Sequence, residues 1–416
     1  MIIIYNLILI TLAIVLSPVI FIAFIVQPKF RAGFFEKMGC YSYDRDDKKT
    51  VVFHAVSVGE TNAIKELVKR YHSLHPDENI VITTTTKTGQ EIAKSAFKDI
   101  AKKVTYYPYD FFFSVLSFLN TFKPEKIIIA ETEIWPGFLK LAKLNEINIY
   151  MVNGRISPHS YNGYKKIKLF LAPVLNCCKK LFMQSVSDAQ RIKDLGAGND
   201  KVEVMGNLKF DISQNLEQEE IVKYETDLKT NNYRVFIAAS THKGEDEIVI
   251  SAYKELRKKH PDAKLLLAPR HPQRFDEVST LLKQEGFKMG KRSCGDNFDN
   301  VDVILLDTMG ELSKLYSVCY MAFIGGSFVQ VGGHNPLEAN IWGKPVISGP
   351  IVFNFKDVYK IASEKKCAVV VSTPDEMKSE LFSFYDNTLK YKTFCNNAKT
   401  IFDENRGAIN YVLDRI

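Results

Sequence analysis

The chain lacks the residue spacings that mark a metal site or a disulfide framework. Its seven cysteines are odd in number, and no two of them stand as Cys-x-x-Cys. Its eight histidines form no His-x-x-x-His pair, and none follows a glutamate as Glu-x-x-His. Zinc sites and extracellular disulfide scaffolds depend on such spacings. We therefore expect no bound metal, no other cofactor and a reducing cytoplasm around the chain.

Signatures of other ligand-binding classes are absent as well. No Walker lysine motif occurs, and no Gly-x-Gly-x-x-Gly follows the first predicted strand, which argues against an NTPase or a dehydrogenase. A compact lysine and arginine patch with interleaved aromatics is also missing, so we expect no nucleic-acid partner. No internal repeat or low-complexity tract is evident.

Charge is missing from the first 28 residues, which are mostly Ile, Leu, Val, Phe and Ala. At 1.5 Å per residue, the roughly 20 residues that cross a bilayer core fit inside this stretch. A cleaved signal peptide is the alternative, but no basic segment precedes the stretch and no small-x-small cleavage site follows it. Lys29, Arg31 and Lys37 come directly afterwards, so the positive-inside rule places the rest of the chain in the cytoplasm. We predict a single-pass anchor over residues 1–28 in the inner (cytoplasmic) membrane.

Positive charge is concentrated next to this segment. Residues 29–203 carry 27 basic and 19 acidic side chains, about +8, whereas the whole chain has a formal net charge of +7. A basic face beside an anionic leaflet is stabilised by about 1 kcal/mol for each well-placed cation, and it would also attract an acidic acceptor lipid. We therefore expect the first half of the chain to lie near the membrane.

Apolar, β-rich segments alternate with segments of helical spacing. A chain of 416 residues is long enough for two domains. The predicted strands of the first half are Thr50–Val56, Asn79–Thr84, Lys103–Tyr107, Lys126–Ala130, Ile147–Val152, Leu181–Met183 and Val202–Met205. Those of the second half are Tyr233–Ala238, Lys264–Ala268, Val301–Leu306, Met321–Ile324, Pro345–Ile347 and Ala368–Val371. Such alternation predicts parallel sheets covered by helices on both faces.

The predicted fold is therefore α/β, with two Rossmann-like doubly wound domains after an N-terminal transmembrane helix. We place the first domain at residues 29–211, a linker at 212–232 and the second domain, with C-terminal helices, at 233–416. Parallel sheets bind ligands at the carboxyl ends of their strands, so the ligand is expected in a cleft between the two domains.

Carboxylates follow two predicted strands of the first half. Gly59 should let the backbone turn sharply, which would place Glu60 in the first turn of a helix. Glu60 either complements the helix dipole, worth about 0.3 to 1 kcal/mol, or faces the cleft as a catalytic group. Glu131 and Glu133 either pair with a cation or act on a substrate. Lys209 could meet a leaving phosphate or an acidic sugar.

The second half offers an arginine at a strand end. Arg270 lies between Pro269 and Pro272, where it could contact a phosphate or a base while the prolines reduce the entropy lost on binding. Thr241 is a plausible helix N-cap, which needs no further function.

Two helix starts in the second half fit capping-box spacing. The residues concerned are Thr308 with Glu311, and Asn335 as N-cap with Pro336 and Glu338. Capping alone could explain them. It does not explain the glycines at 325–326 and 332–333, which let the backbone approach a ligand closely. We therefore favour a phosphate at the N-terminus of the helix near Asn335.

An ordered series of motifs runs from residue 54 to residue 338. It comprises His54-x-x-Ser57-Val58-Gly59-Glu60, Thr84-x-Thr86-x-Thr88-Gly89, Glu131-Thr132-Glu133-x-Trp135-Pro136, Asn153-Gly154-Arg155, Gly206-Asn207-x-Lys209-x-Asp211, Ser240-Thr241-His242-x-Gly244-Glu245, Pro269-Arg270-His271-Pro272, Met309-Gly310-Glu311-Leu312 and Gly332-Gly333-His334-Asn335-Pro336-Leu337-Glu338. With the N-terminal segment, this series resembles the bacterial glycosyltransferases that attach 3-deoxy-D-manno-octulosonic acid (Kdo) to lipid A. The loop 349–355 departs from the family at Ile351 and Val352, where the family usually has His and a small polar residue.

The resemblance implies the two-domain GT-B architecture, with the acceptor on the first domain and the CMP-sugar on the second. It implies CMP-Kdo as donor, a tetraacylated lipid A precursor as acceptor and inversion at the anomeric carbon. Glu60 matches the family's general base, and Glu131 and Lys209 match positions that support the transition state. The positions that match CMP contacts are Pro269, Arg270, Met309, Gly310, Glu311, Asn335, Pro336, Leu337 and Glu338. Because CMP is a good leaving group, positioning and phosphate stabilisation should suffice without a metal.

Three alternatives share parts of this pattern. A GT-B enzyme that uses a UDP-sugar, such as a cell-wall precursor transferase, would release UDP rather than CMP. A UDP-N-acetylglucosamine 2-epimerase has the same architecture but needs no anchor. A membrane-tethered nucleotide-binding module without catalysis would be inactive with every donor.

Overall fold

The computed structural model describes residues 2–27, 31–211, 216–403 and 407–416. These residues form two compact units. Unit 1 contains the described residues up to 211 together with 407–416, and unit 2 contains residues 216–403.

Unit 1 is built on a seven-stranded parallel sheet in the order β3-β2-β1-β4-β5-β6-β7. Its strands are β1 (Thr50–His54), β2 (Asn79–Thr84), β3 (Ala101–Tyr106), β4 (Lys126–Ala130), β5 (Asn148–Gly154), β6 (Lys180–Met183) and β7 (Val202–Val204). The central strands are buried along their length, as expected for a parallel sheet covered on both faces.

The helices before residue 211 are α1 (Ile2–Val15), α2 (Ser17–Val26), α3 (Phe34–Lys37), α4 (Val58–Leu74), α5 (Lys87–Ala96), α6 (Phe112–Phe122), α7 (Pro136–Leu144), α8 (Pro158–Lys165), α9 (Lys168–Leu175) and α10 (Val186–Asp194). Helix α4 shows why they form. Ser57 caps its first turn, and Ile64, Leu67, Val68 and Tyr71 recur at helical spacing on its buried face.

The order of this sheet reverses between β1 and β4. His54 at the end of β1 lies beside Ile129 near the end of β4. The chain segments that follow these two strands therefore emerge side by side, at the position where doubly wound sheets bind ligands.

Unit 2 repeats the plan with the order β10-β11-β9-β8-β12-β13-β14, again all parallel. Its strands are β8 (Arg234–Thr241), β9 (Ala263–Pro269), β10 (Met289–Lys291), β11 (Val303–Leu305), β12 (Met321–Ile324), β13 (Val346–Ser348) and β14 (Ala368–Val370). Its helices are α11 (Gln218–Leu228), α12 (Asp246–Lys259), α13 (Phe275–Gln284), α14 (Leu312–Leu315), α15 (Leu337–Asn340), α16 (Lys356–Glu364), α17 (Pro374–Asp386) and α18 (Thr388–Asp403). The order of this sheet reverses between β8 and β12.

The predicted second domain extends too far at its C-terminal end. Residues 407–416 belong to unit 1, where helix α19 (Ala408–Leu413) adds Ala408, Ile409 and Val412 to the core under α4. Asp211 accepts hydrogen bonds from the backbone N–H of Gly407 and Ile409, so it caps α19. The predicted linker 212–232 also contains α11, which belongs to unit 2.

The prediction of one N-terminal transmembrane helix is not confirmed. No single helix among the described residues is long and apolar enough to cross a membrane, although Ile3–Val15 and Ser17–Val26, bent by 57°, pass together on length and composition. Pro18 explains the break, because proline removes a backbone donor and clashes with the preceding turn. Lys29, on which the predicted orientation partly rested, lies outside the described residues.

Polar contacts also join helix α1 to the rest of unit 1. The Tyr5 hydroxyl donates to the Asp110 carboxylate at 2.8 Å, and the backbone N–H of Phe112 donates to the Asn6 side chain at 2.8 Å. Asp110 in turn accepts from the N–H groups of Gly137 and Phe138 at the start of α7. The apolar segment thus contacts the folded unit through the polar side chains of Tyr5 and Asn6.

Candidate functional site

Glu60 lies in the first turn of α4, directly after β1. Its carboxylate accepts hydrogen bonds from the Val56 N–H at 2.6 Å and from the Ser57 hydroxyl at 3.0 Å. The side chain is nine-tenths buried. Burial, and to a smaller extent the negative charges of Glu131 and Glu133, raises the pKa of Glu60 to about 7, against the opposing Val56 hydrogen bond. A carboxyl group with this pKa can accept a proton near neutral pH.

The sharp turn predicted at Gly59 lies elsewhere. Gly59 is already inside α4 and lacks a left-handed backbone, whereas Ser57 carries the extended conformation that begins the helix. Of the residues that the structure describes, a side chain at Gly59 would meet only Ser57, whose hydroxyl would be 3.8 Å away. Gly59 therefore leaves open space beside the Glu60 turn.

Glu131 and Lys209 are brought together as an ion pair. The Lys209 ammonium nitrogen lies 3.6 Å from a Glu131 carboxylate oxygen, and both side chains are about three-quarters buried. Glu131 itself has φ of 60°, a strained conformation for a residue other than glycine. Its neighbour Glu133 accepts a hydrogen bond from the Trp135 indole, and burial raises the pKa of Glu133. The carboxyl end of β4 thus presents two acids, one of which is balanced by a lysine.

The segment that carries Lys209 is held by two asparagines. The buried Asn153, with φ of 57°, accepts a hydrogen bond from the backbone N–H of Leu208 at 3.0 Å. The Asn207 side chain accepts from the N–H of Lys209 at 3.0 Å. The motifs at 153–155 and 206–211 therefore position Lys209 and, through Asp211, dock α19.

His54, the first residue of the motif series, has a structural role. It is fully buried, stacks on Tyr107 with ring centroids 3.8 Å apart, and shares a hydrogen bond with Thr83. Burial lowers the pKa of His54 to about 3, so its ring is neutral at physiological pH.

In unit 2, Glu245 explains the first glycine pair without a ligand. Its fully buried carboxylate accepts hydrogen bonds from four backbone N–H groups at 2.7 to 3.0 Å. The donors are His242, Gly326, Ser327 and Phe328. A side chain at Gly325 would collide with this carboxylate and with the backbone of Ser240. Gly325 therefore makes room for the Glu245 carboxylate, and the Gly326 N–H binds it, so this glycine pair serves an internal anion rather than the predicted ligand.

The second glycine pair, 332–333, also makes room for the protein itself. A side chain at Gly332 would collide with the ring of Phe353 and the amide of Asn354, each 2.5 Å away. The Asn354 amide donates to the Val331 carbonyl, and Gly332 has φ of 100°. The loop at 349–355, where the chain departs from the family pattern, is thus closely packed on this glycine turn.

The predicted helix start at Asn335 is shifted by one residue. Helix α15 begins at Leu337 after Pro336, although the Asn335 side chain still accepts from the Leu337 N–H at 3.2 Å. The helix has only four residues, so its dipole is small and a phosphate held mainly by that dipole is not supported. Glu338 is close enough to Arg270 for the arginine charge to oppose the rise that burial causes in the pKa of Glu338.

Arg270 follows β9 and is exposed. Its backbone N–H donates to the Thr241 carbonyl, and among the described residues its guanidinium makes no hydrogen bond. Thr241 is the last residue of β8 and donates to Asp246, so the predicted helix N-cap at Thr241 is wrong.

The capping box predicted at Thr308 and Glu311 is also wrong. The Thr308 hydroxyl donates to the Glu311 carboxylate, and α14 begins only at Leu312 without a side-chain cap. Arg292 pairs with Glu311 at 3.3 Å and with Asp227 at 3.4 Å. Met309 is 65% exposed. A ligand contact by Glu311 would therefore compete with an existing ion pair.

Three histidines of the motif series have no role predicted from the sequence. His242, His271 and His334 follow β8, β9 and β12, and their rings meet at the point where the sheet order reverses. His242 and His271 lie within two residues of strand ends, but His334 lies ten residues after the end of β12, so the sequence carried no signal that linked all three. Among the described residues, no group of three or more His, Cys, Asp or Glu side chains could hold a metal ion.

Comparisons with known proteins decide the family. Residues 32–212 match the model of the 3-deoxy-D-manno-octulosonic-acid transferase (kdotransferase) family. The chain is 35% identical over 394 residues to the 3-deoxy-D-manno-octulosonic acid transferase of Haemophilus influenzae, covering 93% of this chain and 91% of that protein. It belongs to the Kdo transferase family. The Rickettsia bellii transferase is 29% identical over 385 residues, covering 92% of this chain and 90% of the other.

The Kdo transferase chain also has a similar solved structure outside the family. UDP-GlcNAc 2-epimerase from Neisseria meningitidis, bound to UDP-GlcNAc, matches with a TM-score of 0.52 at 14% identity, covering 88% of this chain and 98% of that one. At this identity the match concerns the fold alone, which is α/β with two parallel sheets and GT-B-like. The chain is a glycosyltransferase of the Kdo transferase type, and the roles of its individual residues remain predictions.

Proposed function

We propose that this Kdo transferase moves Kdo from CMP-Kdo to the 6-hydroxyl of a lipid A precursor, with inversion at the anomeric carbon and Glu60 as general base. The observation that carries the proposal is the Glu60 carboxylate. It is held by the Val56 N–H and the Ser57 hydroxyl at the reversal point of a parallel sheet, and its pKa is raised to about 7.

The proposed step is a direct displacement. The acceptor hydroxyl oxygen forms a bond to the anomeric carbon while the bond from that carbon to the CMP phosphate oxygen breaks, and the hydroxyl proton passes to Glu60. Protonation also removes the penalty of a buried negative charge, so burial makes Glu60 a stronger base than an exposed carboxylate.

The Glu131–Lys209 pair supports this step in our proposal. Lys209 keeps one positive charge beside Glu131, which reduces the repulsion that an acidic donor sugar would meet there. Because both side chains are largely withdrawn from solvent, their charges are screened less than those of a surface pair. We assign them to the transition state rather than to proton transfer.

We place the CMP moiety on unit 2. Arg270 supplies an exposed guanidinium with no internal hydrogen bond among the described residues, at the carboxyl end of β9. The matching family positions are Pro269, Met309, Gly310, Glu311, Asn335, Pro336, Leu337 and Glu338. Of these, Asn335 lies in the loop that carries His334, and Glu338 lies in the short helix α15 that follows this loop. Glu311 instead forms an ion pair with Arg292.

Product analysis with purified enzyme tests the donor and the acceptor. Incubation with a tetraacylated lipid A precursor and CMP-Kdo should yield a lipid heavier by whole Kdo residues, together with CMP. UDP-sugars should give no product. NMR of the product should show the anomeric configuration opposite to that of the donor. Release of UDP from a UDP-sugar, or retention of configuration, would refute the proposal.

We also propose that the enzyme works at the inner membrane with both units on the cytoplasmic side. The support is the uncharged segment before residue 28 and its exposed apolar side chains, among them Leu7 and Leu12. A Leu7→Asp/Leu12→Asp double variant should float less with anionic liposomes than the parent. Leu74→Asp, at an exposed leucine on α4, is the matched control and should float normally. Equal flotation of all three proteins would exclude this segment as the membrane contact.

A further inference from the structure

Two histidines of unit 2 share one hydrogen bond. The Nε2 atoms of His242 and His334 are 3.1 Å apart, and their rings stack nearly parallel, at 8°. The His271 ring meets His242 edge-on, with centroids 5.3 Å apart. His242 follows β8 and His334 follows β12, so the pair lies where the order of this sheet reverses.

The Nε2 contact limits the protonation states of the pair. One ring must donate its Nε2–H while the other accepts through the Nε2 lone pair, which leaves the accepting ring with its proton on Nδ1. The pair can gain one proton, on Nδ1 of the donating ring, without losing this hydrogen bond. A second added proton would break it. Neither Nδ1 atom has a hydrogen-bond partner among the described residues. The singly protonated pair therefore offers two outward N–H donors.

The arginines around the pair are Arg270 and Arg274. Arg270 acts on both histidines, whereas Arg274, which pairs with Asp246 at 2.5 Å and with Glu277 at 3.6 Å, acts on His242. His271 adds a like charge to both rings only when it is protonated. The acid that faces His242 is Glu245, whose oxygens are already bound by four backbone N–H groups. Burial, with these charges, lowers the pKa of His334 to about 4, and burial lowers that of His242. The free protein thus holds a neutral pair beside Arg270, and the nearby carboxylates of Glu245 and Asp246 already have partners within the described part of the chain.

We propose that His242 and His334 form an anion site that takes up one proton when it binds an anionic group of the donor, either the phosphate of CMP or the carboxylate of the sugar. This inference rests on the proposed use of CMP-Kdo. The proton comes from solvent, attaches to the free Nδ1 of the pair, and returns to solvent when the nucleotide leaves.

The expected size of the effect follows from Coulomb's law. An anionic oxygen about 4 Å from an imidazolium raises its pKa by roughly 3 at an effective dielectric constant of about 20. Such a rise brings His334 from a pKa of about 4 to near neutrality. Binding at pH 7 should therefore take up about half a proton to one proton per nucleotide, because the ring is half protonated when pH equals pKa.

Isothermal titration calorimetry of the full-length enzyme measures this proton. Titrations with CMP, with cytidine and with free Kdo are each run at pH 7 in buffers of different ionisation enthalpy, and the slope of observed enthalpy against ionisation enthalpy gives the protons taken up. His334→Gln and His242→Gln are compared with His260→Gln, a histidine that pairs with Asp386 elsewhere in unit 2. Two pair variants are used because one of them could fail to fold, which thermal unfolding reveals.

Uptake with CMP but not cytidine assigns the site to the phosphate, and uptake with free Kdo assigns it to the carboxylate. Either result supports the proposal if uptake falls by at least about half in the pair variants and persists in His260→Gln, as expected when the titrating ring is removed. CMP binding with no uptake difference between the parent and the pair variants, and no uptake with Kdo, overturns the anion site while the proposed function stands. Failure of CMP to bind at all overturns both.

Discussion

The Lys209 ammonium lies 3.6 Å from the Glu131 carboxylate, and the negative charge of Glu131 acts on Glu60 from the neighbouring strand end. Glu60 follows β1 and Glu131 follows β4, and these strands are adjacent in the sheet although β2 and β3 lie between them in the chain. Glu131 is thus paired with a lysine, whereas the pKa of Glu60 is raised by burial and by the negative charges of Glu131 and Glu133.

Glu131→Gln should lower the pKa of Glu60, because it removes one of the negative charges that raise it. If Glu60 is the base, the acidic limb of the profile of kcat/KM against pH should move to lower pH, since this limb reports the base of the free enzyme. Glu125→Gln, at an exposed glutamate that pairs with Lys49, is the control and should leave the limb in place. A limb that moves to higher pH in Glu131→Gln contradicts this electrostatic relationship.

Arg270→Ala should weaken CMP binding and leave the fold intact. Loss of a hydrogen bond to a charged group typically costs about 1.5 to 3 kcal/mol, roughly ten- to a hundredfold in affinity. Calorimetry with CMP measures the change, and Arg70→Ala, at an arginine on α4 of unit 1, should bind CMP like the parent. Unchanged affinity in Arg270→Ala would remove Arg270 from the donor site.

Glu245→Gln should destabilise unit 2. The buried carboxylate accepts from four backbone N–H groups, and an amide cannot accept at both ends. Leaving even one of these donors unsatisfied costs about 1 to 3 kcal/mol. Chemical denaturation should show this loss, whereas Glu247→Gln, at an exposed position on the same helix α12, should unfold like the parent. Equal stability of the two variants would show that the buried carboxylate is dispensable.

Affinity for CMP should fall as pH rises toward neutrality. Because binding takes up a proton, affinity falls by up to about tenfold for each pH unit between the pKa of the free pair and the higher pKa of the complex, and it levels off above the pKa of the complex. The direction of this pH dependence follows from the lowered pKa values of His242 and His334, which keep both rings neutral in the free protein. Titrations between pH 6 and pH 9 should give a shallower dependence in His334→Gln. A parent affinity that rises with pH over this range is the opposite of the expected result.

The alternation of strands and helices was predictable because a parallel sheet buries both faces, which leaves long apolar runs such as Lys126–Ala130 and Asn79–Thr84. Strand β10 was missed because it has only three residues, with Gly290 in its centre, so no pattern of two-residue alternation could form. Helix α19 was assigned to the wrong domain because its partner, Asp211, is distant in sequence.

The candidate site was predictable where residues directly follow strands, as Glu60 and Glu131 do. It was not predictable where a motif residue packs against other parts of the protein or forms hydrogen bonds with them. Gly325 looked like a ligand approach but makes room for Glu245, whose position depends on tertiary packing. For the same reason, the contact between His242 and His334 could not be inferred from two motifs that lie far apart in the chain.

Replacement of Glu60 removes the proposed general base, and its effect on folding has a definite sign. The folded pKa of Glu60 is raised from 4.5 to about 7, so the ionised carboxylate costs stability above about pH 7 and not below pH 4.5. Glu60→Gln should therefore be at least as stable as the parent at pH 8, by thermal unfolding, and CMP should still bind to unit 2.

The decisive measurement is the rate of Kdo transfer by Glu60→Gln at saturating CMP-Kdo and lipid A precursor, at pH 8. Glutamine keeps the size and hydrogen-bonding shape of the side chain but cannot accept the proton of the hydroxyl. If Glu60 is the general base, turnover should fall by roughly 10² to 10⁴ while the folded protein still binds CMP. A folded Glu60→Gln enzyme that transfers Kdo at near the parental rate would contradict this role.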